Sequence, residues 1–150
     1  MRAVIQRVTR ASVTVDGVVV GAIGAGLLVY LGVGKGDGPE ARAYVLDKLL
    51  NLRVFENDAG KMDTSVLDSP STRSLLVVSQ FTLYADLRRG RRPSFDDAMP
   101  PGDAEPAYQA FLAEARARGV RVEAGTFRAH MLVESCNDGP ITICLDTSTT

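Results

Sequence analysis

The sequence contains little of what metal-dependent and disulfide-stabilised proteins need. It has one histidine, His130, and two cysteines, Cys136 and Cys144, which form no CxxC pair. Structural zinc sites take four nitrogen or sulfur ligands, and small disulfide-stabilised domains carry several cysteine pairs. We therefore expect no metal, no cofactor and no disulfide, and we expect both thiols to be reduced and buried on apolar strands.

Long apolar runs and an excess of one charge are also missing. No apolar stretch approaches the roughly 18–20 residues that span a bilayer, and the alternating N-terminus is unlike a secretory signal. The 17 basic and 18 acidic side chains give a net charge of −1, so nucleic-acid binding would need a local basic cluster. We predict a cytoplasmic protein without a membrane span.

The chain has 150 residues, of which 45% are hydrophobic, so we expect a single domain over residues 1–150.

Conventional hydrolase and nucleotide-binding motifs are absent. There is no GxSxG motif, and any catalytic triad would have to use His130, which we interpret as a partly exposed structural residue at a strand start. The loop "GKGDGPE" lacks the spacing of a phosphate-binding loop. We interpret it as a strand-to-helix turn with Asp37 near the N-cap and Pro39 in the first turn.

Hydrophobic periodicity predicts many strands and two helices. Residues 2–15 alternate as a strand that leads into a hairpin turn at Asp16-Gly17. One helix is predicted from Pro39 to Asn51, and a second is predicted to be capped by Asp103 and ended by Gly119. Further strands are predicted at "LLVYLGV", "LRVFEN", "SLLVVSQFTLYA", "VRVEAG", "HMLVESC" and "PITICLDT". This order predicts an α/β fold, in which a mixed or antiparallel sheet curls into a barrel-like layer with two helices packed on it.

Basic residues are clustered locally despite the neutral total. Four arginines fall within five positions: Arg88, Arg89, Arg91 and Arg92. Guanidinium groups suit bidentate contacts with phosphate, although a loop balanced by nearby carboxylates would explain the cluster equally simply. We favour phosphate as the anion that this cluster binds.

Two polar segments stand at strand ends. Ser79, Gln80 and Thr82 interrupt an otherwise apolar strand, and the local pattern alone fits a substrate site or an ordinary strand end equally well. The second segment, "NDGPIT", places Gly139-Pro140 between two predicted strands. It fits either an ordinary turn or a turn whose backbone groups grip a ligand.

The segments "SQFTLYAD", "GRRPSF" and "NDGPIT", together with the opening "MRAVIQRVTRASVTV", resemble the D-aminoacyl-tRNA deacylases (the D-tyrosyl-tRNA deacylase family) over nearly the whole chain. The family's SQxTL and GPxT motifs are present at residues 79–83 and 139–142. The resemblance implies hydrolysis of the ester that joins a D-amino acid to the terminal adenosine of tRNA. It also implies removal of glycine from wrongly charged alanine tRNA.

The resemblance further implies a homodimer with both active sites at the interface, where a cis Gly-Pro turn reaches into the partner's pocket and rejects L-amino acids. The implied catalytic residues are Ser79, Gln80, Thr82, Gly139, Pro140 and Thr142, and the implied substrate-binding residues include Arg7, Phe81, Phe127 and Met131. Arg7 would hold the Gly-Pro turn, and Phe127 with Met131 would pack on the terminal adenine. We add Arg91 and Arg92 as tRNA phosphate contacts, from their chemistry alone.

One segment departs from the family pattern. "GTFRAHM" stands where GxFGADM is more usual, so Arg128 replaces a glycine and His130 replaces an aspartate. We expect this departure to change the shape of the adenine pocket while the two main motifs remain intact.

The mechanism and two rival functions stay open at this point. Thr82 could be the nucleophile, but the sequence shows no activating base, so we favour water or the substrate's ribose 2′-hydroxyl. Ser79, Gln80 and nearby backbone amides would then stabilise the oxyanion. The rivals are a non-catalytic RNA-binding module and a general esterase for small molecules.

Overall fold

The structure is a computed structural model that describes residues 1–88 and 90–149, so Arg89 of the predicted basic cluster lies outside the described residues. Its central element is the long strand β1 (Arg2–Val15), which pairs in antiparallel fashion with three other strands. These are β2 (Val18–Ile23), β3 (Gly26–Gly32) and β8 (Leu132–Asp146). The predicted hairpin turn at Asp16-Gly17 joins β1 to β2.

Two further strands complete the main sheet, and both pair in parallel. Strand β3 pairs with β6 (Ser74–Ser79), and β6 pairs with β7 (Arg121–Ala124). The order is β2-β1-β3-β6-β7 with β8 on β1, and β2 also lies against β6 and β7, so the sheet curls into a nearly closed barrel. Strands β4 (Phe55–Glu56) and β5 (Met62–Thr64) form a separate hairpin. The predicted fold class is confirmed: the sheet is mixed and barrel-like.

Two helices cover the sheet with their apolar faces. Helix α1 (Pro39–Leu50) buries Val45, Leu46, Leu49 and Leu50. Helix α2 (Pro101–Ala117) buries Ala104, Tyr108, Phe111, Leu112 and Ala115. These faces follow the helical spacing of the sequence, and they pack on β3 and β6 in one core, while a second core fills the barrel interior. Neither helix in the described part of the chain combines the length and apolar composition that a membrane crossing needs.

One predicted helix start is confirmed and the other is wrong: Asp37 lies next to the N-cap of α1 and Pro39 lies in its first turn, whereas Asp103 does not cap α2. The N-cap residues are Gly38 and Pro100, and neither helix has a side-chain cap. Asp37 instead accepts hydrogen bonds from the backbone N–H of Gly34 at 2.6 Å and from the hydroxyl of Tyr84 at 3.0 Å. Its carboxylate therefore ties two distant loops together. Asp103 lies in the first turn of α2, where its charge suits the helix dipole.

The strand predicted over "SLLVVSQFTLYA" ends earlier than expected, at Ser79. Residues Phe81–Tyr84 form a 3₁₀ turn. The last backbone hydrogen bond to the neighbouring strand runs from Gln80 N–H to Leu31 O at 2.8 Å, and β3 itself ends at Gly32. The chain therefore lacks a pairing partner beyond Gln80 and turns.

The C-terminal region differs from the prediction in two respects. The strands predicted on either side of Gly139-Pro140 form one strand, β8, with a bulge in it. The two cysteines are free thiols, but the prediction that they are buried is wrong: Cys136 is half-buried and Cys144 is exposed. Alternate residues of a strand point to opposite faces, and Cys144 falls on the outward face of β8.

Candidate active site

A cavity of about 770 Å³ opens at the carboxyl ends of the parallel strands β3, β6 and β7. Ligands of open parallel sheets commonly bind at this edge, because the loops that follow the strands converge there. Five of the predicted site residues line the cavity: Ser79, Gln80, Phe81, Phe127 and Met131. The cavity thus brings together residues that are about 50 positions apart in the sequence. They come from the end of β6, from the 3₁₀ turn that follows it, and from the loop after β7.

The Ser79-Gln80 step is held by backbone contacts. Gln80 N–H donates to Leu31 O, and the Gln80 backbone passes so close to Gly32 that a Cβ there would lie 2.9 Å from Gln80 O. The Gln80 side-chain amide donates a hydrogen bond to the hydroxyl oxygen of Thr82. Thr82 itself is exposed and does not line the cavity, so its hydroxyl contacts the site through Gln80.

Aromatic rings form two walls of the cavity. Phe81 is 57% exposed and meets Phe95 edge-to-face, with ring centroids 5.0 Å apart. Phe127 lies 5.9 Å from the ring of Tyr108, whose hydroxyl donates to Val77 O at 2.8 Å. Burial raises the pKa of Tyr108, which keeps this hydroxyl a donor. Two fixed aromatic walls suit a flat, aromatic ligand such as a nucleobase.

The rim of the cavity carries basic groups from separate loops. Lys35 follows β3, and Arg128 and His130 belong to the loop between β7 and β8. Arg128 has a φ of +62°, in the left-handed region that disfavours a residue with a side chain. Asp96 is the acidic side chain on the same rim.

Arg7 and the Gly-Pro segment form a separate feature of the barrel wall. Gln6 pairs with Thr142 and Val8 with Asn137, so residues 138–141 on β8 stand opposite the single residue Arg7 on β1. We call residues 138–141 the Gly-Pro bulge. The Asn137 side-chain amide closes it by donating to Arg7 O and Ile141 O, each at 2.9 Å.

The Arg7 side chain supports the bulge from beneath. It is 8% exposed, its Nη1 donates to Val54 O at 2.6 Å, and its Nε lies 3.0 Å from Asp138 Oδ2. The Nε contact is an ion pair whose geometry is too poor for a hydrogen bond, so this buried N–H has no hydrogen-bond acceptor among the described residues. The predicted proximity of Arg7 to Gly139-Pro140 is thus present in the structure.

The position of Gly139 within the bulge leaves no room for a side chain. Its φ is +120°, and a Cβ would lie 2.9 Å from Ile141 Cγ1 and 3.3 Å from Arg7 Nη2. The Gly139-Pro140 peptide bond is cis. Gly139, Pro140 and Thr142 are exposed, and none of them lines the cavity of their own chain. Thr142 Oγ1 accepts a hydrogen bond from Gln6 Nε2 at 3.2 Å on the outward face.

The arginine cluster lies on an exposed loop outside the cavity. A backbone bridge between Asp86 and Ser94 closes this loop. Arg88 is engaged by Asp86, with Nη2 2.7 Å from Oδ2, and this hydrogen bonding lowers the pKa of Asp86 to about 2. Arg92 lines a second, smaller cavity of about 550 Å³, and Arg91 lines neither cavity.

Sequence reasoning missed several residues of the site. Tyr108, Phe95 and Lys35 line the cavity but were not among the predicted site residues. The sequence did carry one signal, because Phe95 closes the "GRRPSF" segment. Contacts between Phe95 and Phe81 or between Tyr108 and Phe127 depend on how the helix and loops pack, which local patterns do not encode.

Comparisons with known proteins place these features in a family. The model of the D-Tyr-tRNA(Tyr) deacylase family matches residues 4–146. A D-aminoacyl-tRNA deacylase of Symbiobacterium thermophilum is 52% identical over 150 residues, covering 100% of this chain and 98% of the relative. A D-aminoacyl-tRNA deacylase of Roseiflexus castenholzii is 56% identical over 148 residues, covering 99% of this chain and 93% of the relative.

Two solved structures share the fold. The "c-Myc DNA Unwinding Element Binding Protein" superposes with a TM-score of 0.91 at 44% identity, covering 98% of this chain and 99% of that chain. A "probable eukaryotic D-amino acid tRNA deacylase" superposes with a TM-score of 0.80 at 22% identity, covering 96% of this chain and 97% of that chain. Taken with the family match over nearly every residue, these likenesses show that the chain belongs to the D-Tyr-tRNA(Tyr) deacylase family, whose members are hydrolases acting on ester bonds.

Proposed function

We propose that the chain hydrolyses the ester bond of D-aminoacyl-tRNA, and of glycyl-tRNA formed on alanine tRNA, to release the free amino acid and tRNA. One observation carries this proposal. The polar pair Ser79-Gln80 lies between two aromatic walls at the edge of a cavity large enough for a nucleoside, next to a basic rim. A cavity with these walls suits the adenosine end of an RNA, with the ester beside Ser79 and Gln80.

In the proposed reaction, an oxygen nucleophile attacks the ester carbonyl, and the ribose oxygen leaves. Water supplies this nucleophile directly, or it hydrolyses the 2′ ester that forms if the substrate's 2′-hydroxyl attacks first. Thr82 is not the nucleophile in this proposal, because it stands outside the cavity and its hydroxyl donates to no base among the described residues. Ser79, the Gln80 amide and nearby backbone N–H groups orient the ester and stabilise its developing oxyanion. Thr82 holds the Gln80 side chain through their hydrogen bond.

Selectivity in this proposal comes from steric rejection. Backbone atoms of Gly139 and Pro140 occupy the space that an L side chain needs, whereas a D side chain points to solvent and glycine has nothing to clash. A 10⁴-fold rejection corresponds to about 5.5 kcal/mol, which a clash with a braced bulge supplies and a single neutral hydrogen bond does not. Arg7 and Asn137 brace the bulge in the described structure.

The proposal requires two copies of the chain. Gly139, Pro140 and Thr142 are exposed and absent from the lining of their own cavity, so they act in the site of a partner subunit. Strand β8 supports this arrangement, since within the described residues it pairs with β1 along one edge. We further propose that residues 1–150 act as one domain in the cytoplasm, where charged tRNA is found, with Arg91 and Arg92 on tRNA phosphates.

The central test measures ester hydrolysis of D-tyrosyl-, L-tyrosyl- and glycyl-tRNA by the purified protein without added metal. We expect rapid loss of the D and glycyl esters while the L ester persists. Binding of tRNA without hydrolysis would leave a non-catalytic RNA-binding module. Hydrolysis of simple esters without tRNA would leave a general esterase.

A subunit-mixing experiment tests whether the bulge acts in trans. Pro140→Ala is expected to gain L-ester hydrolysis, and Gln80→Ala is expected to be inactive. Pro140→Ala protein is mixed with an equimolar amount of Gln80→Ala protein, and the subunits are allowed to exchange. The L-ester rate should fall to about half of its value before exchange. In a mixed dimer the intact Gln80 faces an intact bulge and the altered bulge faces the Gln80→Ala site, so neither site hydrolyses the L ester. An unchanged L-ester rate after exchange would place the bulge in its own chain's site, and light scattering that shows a monomer would exclude the arrangement.

A further inference from the structure

The basic rim of the cavity has no counterion within the described structure. Lys35, Arg128 and His130 reach the same opening from two separate loops. None of their side chains takes part in the ion pairs or side-chain hydrogen bonds that the described residues form. By contrast, Arg2, Arg42, Arg53, Arg88 and Arg121 each pair with a carboxylate. The rim therefore offers unused positive charge and hydrogen-bond donors to a ligand.

Arg128 has a backbone conformation that is unfavourable for a residue with a side chain. At φ +62° a glycine adopts the conformation freely, whereas a side chain crowds its own backbone. Residues held in such conformations gather at ligand sites, where the side chain's role outweighs the strain. The Arg128 side chain is exposed and lines the cavity, so packing does not explain why arginine is present.

The acidic residue on the rim does not neutralise these groups. Asp96 lines the cavity, but its Oδ2 accepts a hydrogen bond from Ser94 Oγ at 2.6 Å. The neighbouring Asp97 approaches Lys35 through backbone atoms, with Lys35 N–H donating to Asp97 O at 2.9 Å. The side-chain charge of Lys35 thus remains available to a ligand.

The geometry points to a phosphodiester as the occupant of this rim: Lys35, Arg128 and His130 bind the phosphate that links the terminal adenosine of the RNA to the preceding nucleotide. This assignment rests on the proposed function. The aromatic walls formed by Phe81 and Phe127 hold the nucleoside, and a 5′-phosphate on that nucleoside reaches the opening where the basic side chains lie. A guanidinium, an ammonium and an imidazole together suit a singly charged phosphodiester exposed at a cavity mouth.

The test uses three non-hydrolysable probes, each carrying D-tyrosine in amide linkage on the 3′-amino-3′-deoxyribose of adenosine. The first is the bare nucleoside, the second is its 5′-linked cytidine dinucleotide with a normal phosphodiester, and the third is that dinucleotide with an uncharged methylphosphonate link. Calorimetry gives the Kd of each. We expect the wild type to bind the phosphodiester about ten-fold more tightly than the methylphosphonate, as befits charge-assisted hydrogen bonds at an exposed rim.

Variants assign the effect to the rim. Arg128→Gly should lose most of the phosphodiester preference while its thermal unfolding temperature stays equal to or above the wild-type value, because glycine relieves the backbone strain. Arg128→Lys should retain most of the preference. Lys35→Ala and His130→Ala should each reduce it. Arg118→Ala is the matched control, since it removes one charge at the far end of α2, about 15 Å along the helix from Tyr108, the last residue of α2 that lines the cavity.

Equal binding of the two dinucleotides by the wild type would overturn the proposal, as would a full preference retained in Arg128→Gly. If AMP, but not the dinucleotide, binds in an Arg128-dependent manner, the rim takes a free nucleotide and the RNA assignment falls. If the bare nucleoside probe also fails to bind, the proposed function fails with it. The nucleoside probe therefore separates the two failures.

Discussion

Arg7 and Asp138 form an ion pair between β1 and the Gly-Pro bulge, with Arg7 Nε 3.0 Å from Asp138 Oδ2. The same guanidinium donates to Val54 O at 2.6 Å, so one buried side chain joins the bulge to the loop before β4. This contact explains how the Gly-Pro bulge, with its exposed Gly139 and Pro140, is held in one position on the barrel wall. The steric selection proposed for this chain needs a bulge held in this way.

Replacing Arg7 should damage both the fold and selectivity. Arg7→Ala leaves the buried Val54 carbonyl without its donor and should lower the free energy of unfolding by about 1–3 kcal/mol. With the bulge released, the D-to-L rate ratio should fall by about 10²-fold, as expected for a misplaced positioning element. Denaturant unfolding and paired ester assays measure the two effects. The matched control is Arg53→Ala, whose exposed pair with Asp63 should be worth less than about 1 kcal/mol; an unchanged D-to-L ratio in Arg7→Ala would contradict the bracing role.

Gln80 and Thr82 should differ sharply when each is replaced by alanine. Gln80→Ala removes an amide donor at the cavity and should lower kcat by about 10²–10³-fold. Thr82→Ala removes only the acceptor that orients this amide, so we expect a loss of less than about ten-fold. Single-turnover hydrolysis of D-tyrosyl-tRNA gives both values. Complete loss of turnover in Thr82→Ala, with the non-hydrolysable analogue still bound, would make Thr82 the nucleophile.

Arg91 and Arg92 should contribute to tRNA affinity through phosphate contacts. Both side chains are exposed, whereas Arg88 on the same loop is engaged by Asp86. In the Arg91→Ala/Arg92→Ala variant, affinity should fall, and the slope of log K against log salt should become shallower by about 0.7–0.9 per lost contact. Filter binding over a salt series measures this slope. Arg121→Ala, which removes a paired arginine elsewhere, should leave it unchanged; a slope unaffected by the double replacement would assign the loop to solvent.

Asp86 should stay ionised to unusually low pH. The Arg88 side chain and then its backbone N–H donate to this carboxylate, which lowers its pKa from an ordinary 3.8 to about 2. Because the folded-state pKa lies below the unfolded one, the contact stabilises the loop above pH 3.8 and is lost as the pH falls towards 2. A carboxyl-detected NMR titration should place the midpoint near this value. Arg88→Ala should move the midpoint back towards 3.8, and an unmoved midpoint would refute this cause.

The Tyr84 hydroxyl should contribute to stability through Asp37. Tyr84 ends the 3₁₀ turn beside the site, and its hydroxyl donates to Asp37 Oδ2 at 3.0 Å while the Arg2 guanidinium lies 4.5 Å from its ring centroid. Burial and the Asp37 charge raise the pKa of Tyr84, so it remains a donor. Tyr84→Phe keeps the ring and should cost about 1.5–3 kcal/mol, the range for a hydrogen bond to a charged group.

Tyr44→Phe is the matched control for this experiment. The Tyr44 hydroxyl makes no hydrogen bond within the described residues, so its removal should change the free energy of unfolding by less than about 0.5 kcal/mol. Chemical denaturation of both variants decides the matter. Equal effects of the two replacements would mean that the Asp37 contact contributes no stability.

Local pattern was sufficient for much of the architecture. The alternation in residues 2–15 predicted β1, Asp16-Gly17 predicted the hairpin, and helical spacing predicted α1 and α2. These predictions succeeded because the alternation of buried and exposed residues in a strand or helix depends on residues only a few positions apart. The cap predicted for α2 is wrong, since the helix begins at Pro101 and Asp103 lies within its first turn. The contact between Asp37 and Tyr84, 47 positions away, lies beyond any local pattern.

Short stretches of chain were enough to predict β1, the first hairpin, both helices and the two family motifs. Three features came to light only in the folded chain: Phe95 and Tyr108 belong to the cavity, "SQFTLYA" turns after Ser79, and four residues of β8 stand opposite Arg7. Those features arise where segments distant in sequence meet. The chain turns after Gln80 because β3 ends and offers no further backbone hydrogen bonds, and Arg7 donates a hydrogen bond to Val54 O. Packing between such segments depends on the whole fold, so no local pattern could have specified it.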